Sequence, residues 1–221
     1  MDDIIQGIAI YALPVIFAIT LHEAAHGYVA RHFGDLTAEK AGRISLNPLR
    51  HIDPFGTILL PLMMFLASKL VMGNGLLFGW AKPVPVNFNQ LRQPKKNMLW
   101  VAAAGPGANL LMAFFWAAII KFGISVPDGT YAKPMILMGI AGIEINVVLM
   151  VLNLLPLPPL DGGRIAVSLL PNKLAWKFAQ IEPYGFVILL VLLVSGVLGV
   201  VLWPLITITK QMIVILFGLY V

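Results

Sequence analysis

The chain has no cysteine and little charge. Without cysteine there are no disulfides and no thiolate metal sites, so any metal must be held by His, Asp or Glu. Charged residues occupy 11% of 221 positions, about half the usual share for a soluble domain. No linker is long or polar enough to separate two domains. What remains is apolar: 59% of the residues are hydrophobic. A soluble domain of this size could not hide that much apolar surface, whereas lipid can. The expectation is an all-α polytopic membrane protein, built as a single membrane-embedded domain over 1–221.

The net charge is +5. Its basic residues sit in short loops between apolar runs, so they set membrane orientation rather than bind nucleic acid. Lys40, Arg43 and Arg50 form one cluster, Arg92, Lys95 and Lys96 a second, and Arg164, Lys173 and Lys177 a third. All three should be cytoplasmic, which puts Met1 outside. The start, Met1-Asp2-Asp3, has no basic region before the apolar stretch. The first helix is therefore expected to stay in the mature protein.

Five to six transmembrane helices are expected. The first runs from about Ile4 to Phe33, roughly 45 Å of helix, and stops at Gly34-Asp35. The polar stretch Leu36 to Gly56 follows, in which Gly42 to Asn47 has the pattern of a strand. A second apolar run, Thr57 to Met72, is short for a full span. Gly73 to Asn89 is rich in Gly, Pro and aromatics. Two prolines in Pro83-Val84-Pro85 forbid a helix there, so it reads as an extended or re-entrant segment. Further helices are expected over Asn97–Phe122, Lys133–Leu155, a short Ile165–Leu170, Pro183–Trp203 and Pro204–Val221.

The pattern that carries chemistry is His22-Glu23-Ala24-Ala25-His26. On a helix, residues i and i+4 share a face, so both imidazoles can reach one metal ion. Glu23 sits on the neighbouring face, where it can polarise water without ligating, as in zinc peptidases. The plainer alternative is two polar histidines at a helix contact, but ionisable groups inside membrane helices are costly. A catalytic zinc needs a third protein ligand. His32, His51 and the remaining carboxylates are candidates. Asp35, Glu39, Asp53 and Glu182 lie in polar loops and read as solvated. Asp161 follows a helix broken by Pro156, Pro158 and Pro159 and precedes two glycines, which puts irregular backbone beside a cavity. It is the chosen third ligand. Glu144, mid-helix, ranks second and could instead pair with a basic group.

His22 to His26, followed far downstream by Asn153-Leu154-Leu155-Pro156-Leu157-Pro158-Pro159-Leu160-Asp161-Gly162-Gly163, resembles the site-2 protease family of intramembrane metalloproteases. Ala104-Gly105-Pro106-Gly107-Ala108-Asn109 resembles that family's third core-helix motif, and Gly42 to Pro54 resembles the polar segment of compact prokaryotic members. The resemblance covers most of residues 15 to 165. It implies one Zn2+ held by His22, His26 and Asp161, with Glu23 as general base. It also implies that Asn153 contacts substrate or oxyanion. Asn109 and Asn146 are weaker carry-overs, as substrate contacts or as interhelical hydrogen bonds. Trp80, Val84 and Val86 could pair with an unwound substrate by strand addition.

The implied catalytic core is about 4–170, with C-terminal helices about 183–221. Implied partners are single-span transmembrane proteins and the bilayer of a prokaryotic cell membrane, with the zinc site nearer the cytoplasmic side. Many family members add a PDZ domain, a CBS domain or a membrane helix before the zinc-binding one; none is evident in this sequence, so a near-minimal catalytic core is expected. Three rivals predict different residues. A prenyl-peptide protease with the same zinc motif would use a Glu ligand and lack Asp-Gly-Gly. A zinc transporter would show several His/Asp clusters. A catalytically idle scaffold binding transmembrane helices would tolerate loss of Glu23.

Overall fold

The computed structural model of the chain describes residues 2–59, 63, 81–126 and 131–219. It is an all-α polytopic membrane fold. The long helices are α1 (Asp2–His32), α3 (Pro94–Ser125), α4 (Ala132–Asn153) and α8 (Val197–Phe217). Between them lie the short α2 (Thr37–Lys40), α5 (Asp161–Leu169), α6 (Asn172–Ala179) and the 13-residue α7 (Glu182–Val194). Among the described residues four helices are long and apolar enough to cross a membrane, and α6 with α7, bent by 62°, would make a fifth. Most of the run expected at Thr57 to Met72, and the segment Gly73 to Trp80, lie outside the described residues. So does Trp80 as an expected substrate contact.

Packing of α3 on α4 makes the centre of the molecule. Trp116 and Ile120 of α3 meet Val147, Met150 and Val151 of α4, with Ile206 and Ile213 of α8 closing the cluster. Lipid is as apolar as these side chains, so close packing rather than water exclusion must hold the helices together. Gly142 and Gly139 supply it. A Cβ on Gly142 would run into the Trp116 ring, and one on Gly139 would lie 3.0 Å from the Trp116 carbonyl. The missing side chains let the two backbones approach.

Three expectations need correction. No strand exists among the described residues, and Gly42 to Asn47 is irregular. Its start is taken up in closing α2: Gly42 sits at φ 62°, and the Gly42 and Arg43 amides donate to the carbonyls of Glu39 and Ala38. That is a helix-ending turn that glycine adopts without steric cost. Second, the break expected at Pro204 lies instead at Ser195-Gly196. Gly196 at φ 76° ends α7 and begins α8, while Pro204 sits inside α8. Proline lacks the donor for one helical bond, which a membrane helix tolerates; a left-handed residue cannot continue the helix at all. Third, the short helix expected at Ile165 starts at Asp161, and α6 adds a helix where the sequence pattern indicates none.

Candidate metal centre

Helix α1 presents His22 and His26 one turn apart, both buried. Facing them is Asp161, the first residue of α5 and also buried. The Asp-Gly-Gly start explains its position. A Cβ on Gly162 or Gly163 would collide with the backbone at Leu154-Leu155 or Leu157-Pro158. Only glycines let α5 begin pressed against the proline-broken chain after α4. A carboxylate in the first turn of a helix also faces the positive end of the helix dipole.

The donor atoms form a nearly equilateral triangle. His22 Nε2 and His26 Nε2 are 3.2 Å apart. They lie 3.2 and 3.3 Å from Asp161 Oδ2. Each ring's protonation is set from behind. His22 Nδ1 donates to Asn109 Oδ1 at 2.6 Å, and His26 Nδ1 donates to the Val101 carbonyl at 2.7 Å. In the neutral imidazole the other nitrogen then carries a lone pair. Three acceptors therefore converge with no hydrogen between them, and Asp161 Oδ2 has no hydrogen-bond donor. With both rings neutral, such a cluster suits a cation. Tetrahedral zinc with bonds of about 2.0–2.1 Å sets its ligands about 3.3–3.4 Å apart, which matches the triangle.

Room for an ion comes from α3. A Cβ on Gly105 would lie 2.7 Å from His22 Nε2 and closer still to His26 Nε2. The centre opens into a cavity of about 590 Å³ between α1 and α4. Glu23 and Asn153 line it, as do Val84 and Arg164. Glu23 is not part of the donor triangle; its Oε2 accepts from the Val84 amide at 2.8 Å. Asn153 ends α4 and spends one amide hydrogen on the Leu149 carbonyl at 3.0 Å.

A Bacillus subtilis protein named "Putative zinc metalloprotease YwhC" is 42% identical over 214 residues, which is 93% of this chain and 90% of that protein. The chain belongs to the site-2 protease family. Two mycobacterial proteins bearing the same description with the name Rip2 are each 30% identical. The one from Mycolicibacterium smegmatis matches over 83% of this chain and 66% of its own length. The one from Mycobacterium tuberculosis H37Rv matches over 85% and 70%. No family model and no solved structure matches.

In this site-2 protease family member, Asn109 and Asn146 are fully buried behind His22, away from the cavity. Asn109 Nδ2 donates to Asn146 Oδ1 at 3.0 Å, and Asn146 Nδ2 donates to the Gly142 carbonyl at 2.8 Å. The chain of amides joins α1, α3 and α4. Val86 does not line the cavity; it packs with Ala30 and Leu91. Glu144 is apart from the centre, 3.6 Å from Lys210 of α8. His32 is exposed, and His51 is buried against the Ser45 carbonyl at 2.8 Å.

Asp35 is not solvated, contrary to its reading as a loop carboxylate. It is fully buried and accepts from the Thr37 amide at 2.9 Å and the Asn87 amide at 2.6 Å. Arg43, read only as a topology charge, is buried and donates to the carbonyls of Lys82 and Pro83. Nothing local in the sequence marks either residue as buried, because Lys82, Pro83 and Asn87 lie 39 to 52 positions from the side chains they meet.

Proposed function

We propose that this protein is an intramembrane zinc metalloprotease that hydrolyses peptide bonds in or near transmembrane segments of single-span membrane proteins. The observation that carries it is the triangle of lone-pair donors on His22, His26 and Asp161 at the base of a cavity that also holds Glu23. His22, His26 and Asp161 would hold the ion. Bound there, zinc supplies Lewis acidity toward a carbonyl and makes water more acidic. Glu23 takes the proton of the attacking water and later passes it to the leaving amine. Asn153 has one amide hydrogen left to donate to the developing oxyanion. Apolar walls on α1 and α4, among them Val15, Ile19, Leu149 and Leu152, suit a hydrophobic chain and keep bulk water out.

The names of the relatives support a zinc protease, and the apolar helices support a site within the bilayer. The zinc site is taken to lie nearer the cytoplasmic side, with Met1 outside, from the basic loops. The test uses detergent-purified protein and a doubly labelled single-span reporter, a leucine-rich helix with a central Asn-Pro-Gly break. Wild type should hold one zinc per chain and cleave the reporter. Glu23→Gln should keep its zinc and lose at least about a hundredfold in rate. Asp161→Ala should lose both. Cleavage that survives Glu23→Gln, or zinc that survives Asp161→Ala, would overturn the assignment.

A further inference from the structure

Residues 81–87 have no regular secondary structure, and at Val84 they meet α1 at the general base. Pro83 and Pro85 carry no amide hydrogen. In that tripeptide Val84 holds the single backbone donor, and it goes to Glu23 Oε2 at 2.8 Å. Val84 is buried, and α1 makes room for it at Gly27, where a Cβ would lie 3.3 Å from Val84 Cγ1.

The segment does not hold itself in place. Its prolines remove donors, and no strand pairs with it among the described residues. Its register is fixed by the polar stretch after α1. Arg43 donates to the Lys82 carbonyl at 2.6 Å and, at 3.4 Å, to the Pro83 carbonyl. The Lys82 amide donates to the His51 carbonyl at 2.9 Å, and Asp35 holds the far end through Asn87. Arg43 is buried with no carboxylate within ion-pair distance among the described residues. A guanidinium is costly to bury without an anion, and here its Nη2 is spent on the carbonyls of the two residues immediately before Val84.

We propose that Arg43 is a positioning residue for Glu23, acting through the Pro83-Val84-Pro85 backbone. The proposal rests on the proteolytic role given to Glu23. Arg43 fixes the Lys82 and Pro83 carbonyls, these fix the direction of the Val84 amide, and that amide holds the Glu23 carboxylate beside the metal centre. Val84's donor is thereby committed to the enzyme's own base, not to a substrate strand.

Two measurements test it together. Hydrogen exchange of a short peptide across 83–85 reports Val84 alone, since prolines carry no exchangeable amide. Val84 should be protected in wild type and exchange at least about tenfold faster in Glu23→Ala and in Arg43→Gln. On the single-span reporter, Arg43→Gln should lower kcat at least about tenfold, with KM within about twofold and zinc at wild-type occupancy. Arg43→Lys, which keeps a cationic donor, should recover part of that loss. Val84→Pro should match Arg43→Gln, and the double variant should be no worse than the worse single one, because both break the same chain of contacts. A raised KM with kcat intact, multiplying losses, or a Val84 amide indifferent to Arg43 would each overturn the proposal. If wild type does not cleave the reporter, the proteolytic reading fails, and the exchange data still decide whether Arg43 holds Val84 against Glu23.

Discussion

Asn109 reaches His22 from the side away from the cavity: its Oδ1 accepts from His22 Nδ1 at 2.6 Å, which turns Nε2 toward Asp161. Asn109 is in turn held by the Ala18 carbonyl and Asn146. A ligand imidazole relies on such a partner for tautomer and orientation, and losing it usually costs about 10–100-fold in metal affinity. Asn109→Ala should therefore weaken zinc binding by that factor, read by competition with a chelator, while helical content stays as in wild type. Equal affinity in the two proteins would mean that His22 is oriented by something else.

Gly105 should be the most sensitive non-ligand position at the centre. Alanine is a better helix former than glycine by about 1 kcal/mol, so Gly105→Ala should not harm α3 itself. Its methyl group, however, would occupy the space between the two Nε2 atoms. The expected outcome is folded protein with its zinc lost or greatly reduced, measured by metal analysis beside circular dichroism. Full zinc occupancy would show that α3 can retreat from α1.

What could be read from the sequence was what repeats locally. His22 and His26 share a helix face by spacing alone, and the proline-broken approach to Asp161 signals irregular backbone inside an apolar region. The helices α1, α3 and α4 follow from apolar runs of membrane length. What could not be read depends on partners distant in sequence. Asp35 looks like any loop carboxylate until Asn87 is brought to it, and Arg43 looks like an orientation charge until Lys82 is. Gly105 lies within a family-like motif, but the need for glycine there comes from α3 crossing the histidines, which no local pattern encodes. Proline is the louder helix breaker in sequence, which points to Pro204, although the left-handed Gly196 is the residue that turns the chain.

Asp35 gives a stability prediction distinct from the metal. Its carboxylate satisfies the amides of Thr37 and Asn87 in a fully buried position. Asp35→Ala would strand both donors, at about 1–3 kcal/mol for each unsatisfied group. We expect a loss of about 2–4 kcal/mol in denaturant unfolding from detergent. A change below about 0.5 kcal/mol would mean that water takes over both donors.

Glu144 and Lys210 separate the membrane's demands from the metal's. They form an ion pair at 3.6 Å between α4 and α8, both helices of membrane-spanning length. An unpaired charge in that setting costs about 2.5–3.5 kcal/mol at the centre of a bilayer helix and less toward its ends. Glu144→Gln should leave zinc content at the wild-type level and lower stability by about 1–3 kcal/mol, since Lys210 loses its counter-ion. Adding Lys210→Met should restore most of the loss, because it removes the ammonium that Glu144→Gln leaves unpaired. Zinc loss in Glu144→Gln would return Glu144 to the list of possible ligands. Additive destabilisation in the double variant would show that Lys210 contributes through contacts other than Glu144.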